Sequence, residues 1–424
     1  MVRVLLYTYA QSCETCYNKQ NVKGGAKPEG ENRIMPYTTL TEPIEAVYIH
    51  IPFCVKKCNY CDFLSFSHGT STTDAMEQYI HALIAEIKLA TTQYRVQAKT
   101  IFIGGGTPSV LPESLMEPLL AAIRQYVVSD SLQEYTVELN PGTITERKLQ
   151  LMKQYRVNRL SIGVQSDTTE QLQLLGRIHT FAEAKEVVHL ARAAGFDNIN
   201  LDFMYGIPGQ TVDAWADTLT NAMALKPQHL SLYQLKIEEG TILYQWLEEG
   251  RIDEFDDETA LAMYRTAQTL LEREGYHQYE ISNYAKAGYA SLHNQVYWRT
   301  DHYLGLGLGA CSWVRPNRWN NHFAMKEYLQ SIAQGQLPAG ETEHLTVQEQ
   351  MEETVFMALR MNGGLSKALF QERFGCSVES VFADAIQTCK ENQWLTEAED
   401  CYLLTEEGRV LGNLVFMEFI QEEA

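Results

Sequence analysis

The sequence predicts an α/β protein: a parallel sheet rolled into an open, partial (β/α)6 barrel, TIM-like but unclosed, followed by a small C-terminal α/β domain. Three observations carry this. Between residues 46 and 237, short apolar stretches alternate with amphipathic ones at strand and helix lengths, which implies a parallel sheet with right-handed crossovers. The alternation runs through six βα units, too few to close an eight-stranded barrel. Glycine-rich or polar motifs also stand at the C-terminal ends of the predicted strands, where such folds place their active groups.

The first strand, 46–51, runs into a cysteine-rich loop. A helix over 73–92 follows, with Ile80, Leu83, Ile84 and Ile87 on one face. Strand 100–103 ends in Gly104-Gly-Gly-Thr-Pro108, and a helix covers 112–128. Strand 135–139 ends in Glu138-Leu-Asn140-Pro141 before a helix over 145–154. Strand 159–164, helices near 168–175 and 181–194, strand 199–204, helix 211–224 and strand 229–237 complete the set. The barrel thus spans 44–240. Residues 241–344 are expected to hold one long helix, 256–274, in an otherwise loop-rich extension. Residues 345–424 read as helices near 346–361, 366–373 and 377–391, a hairpin over 394–404 and a last helix carrying Val410, Leu414 and Phe419. Residues 1–43 differ: 21–32 is rich in Gly, Lys, Glu and Asn without an apolar period, so a flexible extension is expected. Cys13 and Cys16 lie in it, a CxxC with no second pair nearby.

Of 424 residues, 45% are hydrophobic and 21% charged, the proportions of a soluble globular chain. A formal net charge of −20 speaks against nucleic acid, which needs a basic footprint, and against docking on anionic lipid. No apolar run approaches the roughly 20 residues that span a bilayer. The apolar part of the first residues is too short for a signal peptide. A cytoplasmic protein with reduced thiols is the expectation.

Cys54, Cys58 and Cys61 are spaced C-x3-C-x2-C within Tyr48-Ile-His-Ile-Pro-Phe-Cys54-Val-Lys-Lys-Cys58-Asn-Tyr60-Cys61. Thiolates suit zinc and iron–sulfur clusters. A [4Fe–4S] cube usually takes four of them, and position 63, two past the last, is Phe63. A cube held here would keep one iron open. A zinc knuckle with His50 as fourth ligand uses the same residues.

This motif, with an aromatic residue before its third cysteine, resembles that of the radical S-adenosylmethionine (SAM) proteins. The wider string resembles the branch that holds the oxygen-independent coproporphyrinogen III oxidases and the haem chaperones (HemN and HemW). The resemblance covers roughly residues 45–420. It implies a six-unit barrel and a [4Fe–4S] cluster on Cys54, Cys58 and Cys61. It also implies a SAM molecule whose amine and carboxylate chelate the open iron and whose sulfonium is split by the cluster's electron. It further implies a winged-helix-like C-terminal domain, whose acidic residues fit packing better than DNA binding.

The remaining motifs have local readings too. Glycines in Gly104–Pro108 let backbone approach a ligand and expose N–H groups, although a plain βα turn gives the same string. Glu138 could accept from an amine or a ribose hydroxyl. Gln165 ends strand four, Arg177 lies twelve residues on, and Asp202 ends strand five; each alone fits a surface polar group as well. By the resemblance, Tyr48, Tyr60, Gly106, Thr107, Pro108, Glu138, Gln165, Arg177 and Asp202 line the SAM site. Gly305-Leu-Gly-Leu-Gly-Ala310 formally fits a dinucleotide fingerprint, but no βαβ unit surrounds it, and a tight turn beside the core sheet is expected. His293-Asn-Gln-Val-Tyr297-Trp298 matches the HNxxYW pattern that the resemblance associates with haem. An imidazole can ligate iron and flat rings can face a porphyrin, while a buried core histidine is the plain alternative. His302, Tyr303 and Cys311 are further candidates.

Two functions of different class follow. One is a haem carrier that passes haem to acceptor proteins and needs an electron donor for its cluster. The other is an oxidase that decarboxylates coproporphyrinogen III. Phe63, where the oxidase branch has an extra cysteine, and HNxxYW favour the carrier. Haem propionates are anionic, so a basic patch at the pocket is expected, drawn from Arg177, Arg299 or Arg315.

Overall fold

The computed structural model describes residues 43–67 and 72–420. Its first six strands are β1 (Ile44–Ile51), β2 (Val96–Gly105), β3 (Glu134–Leu139), β4 (Arg159–Gln165), β5 (Asn198–Tyr205) and β6 (His229–Gln234). They pair in chain order, every pair parallel. Strands buried on both faces usually read as unbroken apolar runs; these alternate. Leu160, Ile162 and Val164 of β4, and Ile199, Leu201 and Phe203 of β5, are fully buried in the main apolar core. The opposite face of the same strands carries Arg159, Ser161, Gln165, Asn200 and Asp202. A closed eight-stranded barrel fills its interior with branched aliphatics. Here the interior face is polar and surrounds space.

The crossover helices begin where a threonine can cap them. Thr72, Thr145, Thr168, Thr180 and Thr211 each accept a backbone N–H of the first turn, starting helices Thr73–Gln93, Glu146–Gln154, Thr169–Leu174, Phe181–Ala193 and Val212–Ala224. Helix Glu113–Tyr126 completes the outer layer.

Residues 241–344 correct the loop-rich expectation. Helix Asp257–Arg273 is there, but so are helices Ile242–Glu248, Leu292–Trp298 and Met325–Ala333. Six strands join them: β7 (His277–Gln278), β8 (Asn283–Ala285), β9 (Tyr303–Leu306), β10 (Cys311–Val314), β11 (Asn317–Asn321) and β12 (Ala339–His344). They extend both edges of one sheet, in the order β12-β11-β10-β9-β1-β2-β3-β4-β5-β6-β8-β7. Strands of two to six residues are too short to show a period in the sequence.

In the Gly305–Ala310 run, Gly305 and Leu306 end β9, which pairs parallel with β1, and 307–310 form the expected turn at its edge. Its glycines allow close approach: a Cβ on Gly305 would lie 2.1 Å from the Cys311 carbonyl oxygen. One on Gly307, at φ +101°, would lie 2.6 Å from the Tyr79 hydroxyl.

The last part of the chain builds a second core around Val355, Phe370, Val378, Phe382 and Phe419. It has helices Val347–Leu359, Lys367–Phe374, Val378–Glu391, Glu406–Val410 and Gly412–Glu418. Strands β13 (Leu365–Ser366), β14 (Leu395–Ala398) and β15 (Cys401–Leu404) form a separate sheet, β13-β15-β14. The Cys13–Cys16 pair and most of the expected flexible extension lie outside the described residues. Among the described residues no helix is long and apolar enough to cross a membrane.

Candidate cofactor and metal site

β1 delivers the cysteine loop, and neighbouring backbone holds it in place. Cys54 N–H donates to Phe66 O at 2.8 Å, and Phe66 N–H to Pro52 O at 2.7 Å. Asn59 ties the far side of the loop to the barrel, donating from its backbone to Leu175 O and from Nδ2 to Leu174 O. Each of the seven cysteines among the described residues is a free thiol.

A chain of hydrogen bonds then links the loop to the strand ends. Thr107 Oγ1 donates to Cys54 Sγ at 3.6 Å and accepts from Asn140 Nδ2 at 2.8 Å. Arg177 Nη2 donates to Asn140 Oδ1 at 2.6 Å and to Gly163 O at 2.5 Å, while its Nη1 reaches Cys58 Sγ at 3.5 Å. Asn140 is thus the joint between the glycine loop and the arginine. In the sequence it is visible only as part of the Glu138–Pro141 string, with nothing nearby to mark this role.

The three thiols and the expected SAM residues line one cavity of about 370 Å³, a size that suits a small-molecule ligand. Tyr48, Tyr60, Gly106, Thr107, Glu138, Gln165, Arg177, Asp202 and His293 all face it. Pro108 does not; buried, it opens the short turn Pro108–Val110 behind the glycine loop. Of the residues expected to form a basic patch, only Arg177 is in the wall. Arg299 holds Gln295 and Arg315 holds His302. The positive groups of the cavity are instead Lys56, Lys57, Arg159, Arg177 and Lys236.

Three free thiols on one loop are the donor types of a cluster with one open iron, and among the described residues no three His, Cys, Asp or Glu gather on a single metal ion. His50, the ligand a zinc knuckle would need, is committed elsewhere: Nε2 donates to Leu64 O at 2.9 Å, and Nδ1 accepts from Tyr48 Oη at 3.0 Å. Burial holds its pKa down at about 4, so both contacts belong to the neutral ring. Burial also pushes the Cys54 thiol up and, with Cys58 beside it, Cys61 to about 12. Cationic metal is what would keep these sulfurs as thiolates.

The cavity fits a polar, cationic ligand next to the thiols. Gln165 sits at φ +70°, and its Oε1 is buried without a partner. Glu138 receives Gly105 N–H at 3.1 Å, and burial beside Asp202 raises its pKa to about 8. Asp202, also raised by burial, accepts from Asn200 Nδ2 at 2.7 Å and Ser161 Oγ at 3.1 Å.

HNxxYW forms the helix Leu292–Trp298 rather than loop. His293 is almost fully buried, stacked on Phe102 at 5.3 Å, with Thr100 Oγ1 2.9 Å from Nδ1 and Tyr297 Oη 2.9 Å from Nε2. Burial lowers its pKa to about 3. Tyr297 meets Tyr303 edge to face at 4.7 Å. Phe102, His293, Tyr297 and Tyr303 thus make an aromatic wall, and Cys311 lines the cavity beside it. His302 lies outside the lining and pairs with Arg315.

The chain resembles known proteins in both sequence and fold. The radical SAM superfamily pattern matches residues 48–222, and the HemN C-terminal domain pattern matches 345–411. In structure the chain resembles the coproporphyrinogen III oxidase HemN of Escherichia coli, with a TM-score of 0.78 over 89% of this chain and 90% of that one, at 22% identity. That likeness supports the partial-barrel fold. In sequence it is 35% identical to the heme chaperone HemW of Escherichia coli, over 90% of this chain and 99% of that protein. To the heme chaperone HemW of Bacillus subtilis it is 37% identical, over 89% of this chain and 100% of the relative. With a thiol triad at the mouth of a polar, open barrel and relatives matched over about nine-tenths of its length, the chain belongs to the HemW family within the radical SAM superfamily.

Proposed function

We propose that this chain is a haem chaperone. It binds haem, carries a [4Fe–4S] cluster on Cys54, Cys58 and Cys61 with SAM beside it, and passes haem to acceptor proteins. One observation carries the reading: a single cavity joins the thiol triad to the aromatic wall of the HNxxYW helix. Tyr48, Tyr60, Gly106, Thr107, Glu138, Gln165, Arg177 and Asp202 hold SAM, whose sulfonium the bound cluster can reduce. His293 and its stacked neighbours face the porphyrin. Residues 44–240 supply the cofactor site, 241–344 the haem wall and 345–424 a packing module. The protein works in the cytoplasm with a reductant for its cluster and without nucleic acid.

Coproporphyrinogen oxidation is the activity this reading denies. Phe63, 40% exposed at the cavity mouth, occupies the position of the oxidase branch's extra cysteine. Anaerobically reconstituted protein, given coproporphyrinogen III, SAM and dithionite, is expected to form no protoporphyrinogen. The same preparation loaded with haem is expected to transfer it to an apo-cytochrome, read by the acceptor's Soret band. Turnover of the porphyrinogen without haem transfer would reverse the assignment.

A further inference from the structure

The floor of the cavity holds a charge that the cluster and SAM do not explain. Arg159 is the first residue of β4 and shares its interior face with Ser161, Gly163 and Gln165. Six residues along a strand place it about 20 Å below the Gln165 mouth, measured along the backbone. It is 2% exposed. Its one side-chain hydrogen bond is a long one, Nη1 to Thr136 Oγ1 at 3.5 Å, and its Nε has no partner. A guanidinium carries five donors, and burying one so poorly satisfied is costly.

The neighbouring acids do not supply the missing acceptors. Glu134 accepts from Ser291 Oγ, Leu292 N–H and His293 N–H. Asp202 accepts from Ser161 and Asn200. Glu280 accepts from Ser282 N–H and Asn283 Nδ2. Among the described residues none forms an ion pair with Arg159. Ser282 Oγ, also buried and without a partner, lines the same cavity. Two residues with unsatisfied donors thus line the same cavity as the stacked Phe102–His293 pair.

We propose that Arg159 and Ser282 form a carboxylate-binding subsite at the cavity floor, which takes a propionate of the bound haem. This rests on the haem reading above. A guanidinium fork matches a carboxylate in two parallel hydrogen bonds, strongest where water is excluded, and Ser282 Oγ offers a third. SAM also has a carboxylate, so the test must separate the two sources.

The probes are haem and haem dimethyl ester, in which both propionates are blocked. They are titrated against cluster-loaded wild type, R159M and R159K, with SAM binding measured in parallel. Wild type is expected to prefer haem about ten- to a hundredfold, the range of a buried charge-assisted hydrogen bond. R159M is expected to bind both porphyrins at the ester's level, with SAM affinity unchanged; R159K, with the charge but not the fork, falls between. Equal affinity of wild type for haem and ester overturns the subsite, as does R159M keeping the wild-type preference. Lost SAM binding with intact ester discrimination assigns Arg159 to SAM and also overturns it. If R159M fails to take up cluster, the wild-type and R159K titrations decide alone. Failure of wild type to bind either porphyrin strikes the haem reading instead.

Discussion

Asn140 shows how much of the site rests on one uncharged side chain. Its amide donates to Thr107 and accepts from Arg177, and those two in turn reach Cys54 and Cys58. Asn140→Ala removes a charge-assisted bond and a neutral one and leaves Arg177 held by Gly163 O and Cys58 Sγ but no longer tied to Thr107. SAM affinity is then expected to fall on the order of tenfold or more, read by quenching or equilibrium dialysis, with cluster absorbance retained; an unchanged affinity would deny Asn140 the role of joint. His293 sits in the other half of the cavity with both ring nitrogens engaged. His293→Ala is expected to weaken haem binding but leave the Soret maximum in place, as befits a wall residue. A shifted maximum would make it an iron ligand. The cysteines were legible because a fixed spacing of soft ligands has few other uses, and the strand-tip polars because each sat in a motif string. Arg159 was not, since it begins a strand. The signal was nevertheless present in Arg159-Leu-Ser-Ile-Gly-Val-Gln165, a strict alternation of polar and apolar residues. In a parallel strand that should read apolar throughout, it marks a face turned toward a cavity.

Helix Leu292–Trp298 has seven residues, too few to be stable alone. It is held from below by Glu134 at the start of β3, whose carboxylate takes Ser291 Oγ at 3.0 Å, Leu292 N–H at 2.8 Å and His293 N–H at 3.1 Å. The two N–H groups are orphan donors of a helix start, met by a residue 159 positions away from His293. The far end is pinned by the second core, with Arg360 4.9 Å from the Phe416 ring and 5.7 Å from that of Trp298. Glu134→Gln keeps the shape but loses the charge and one acceptor. It is expected to cost about 1–3 kcal/mol of stability, seen as a lower urea midpoint, and to weaken haem binding while cluster absorbance stays. A midpoint equal to wild type would mean the helix is held by packing alone. The HNxxYW string was readable as a motif but not as a helix. Its Ser291 cap is local, but the carboxylate that holds its start and its packing partner lie far off in sequence, and its length gives no amphipathic period. The longer helices and β1–β6 were readable because threonine caps and apolar periods are local.

On the scale of the whole molecule, the strands added beyond β1 must be fastened to the barrel, and a buried acid fastens them. Glu86, on helix Thr73–Gln93, accepts from Gly307 N–H at 2.9 Å, Asn321 Nδ2 at 2.6 Å and Tyr328 Oη at 2.5 Å. One carboxylate thus joins the outer helix layer to the turn after β9, to the end of β11 and to helix Met325–Ala333. It is 1% exposed, and burial raises its pKa to about 7 against the three hydrogen bonds that favour its charge. The unfolded chain ionises this group near its ordinary value of 4.5. Between the two values the folded state holds the extra proton, so stability falls as pH rises. The contribution is whole below about pH 4.5 and is lost as pH passes about 7, for a total of up to about 3 kcal/mol. Glu86→Gln is neutral at every pH and, like Glu134→Gln, loses one acceptor, a cost that does not change with pH. The urea midpoint of the substituted protein relative to wild type is therefore expected to rise from pH 5 to pH 8.5, where wild type has buried a charge. Parallel curves for the two proteins from pH 5 to 8.5 would show that Glu86 keeps its charge throughout, and that the sheet extension is held by an ionised carboxylate after all.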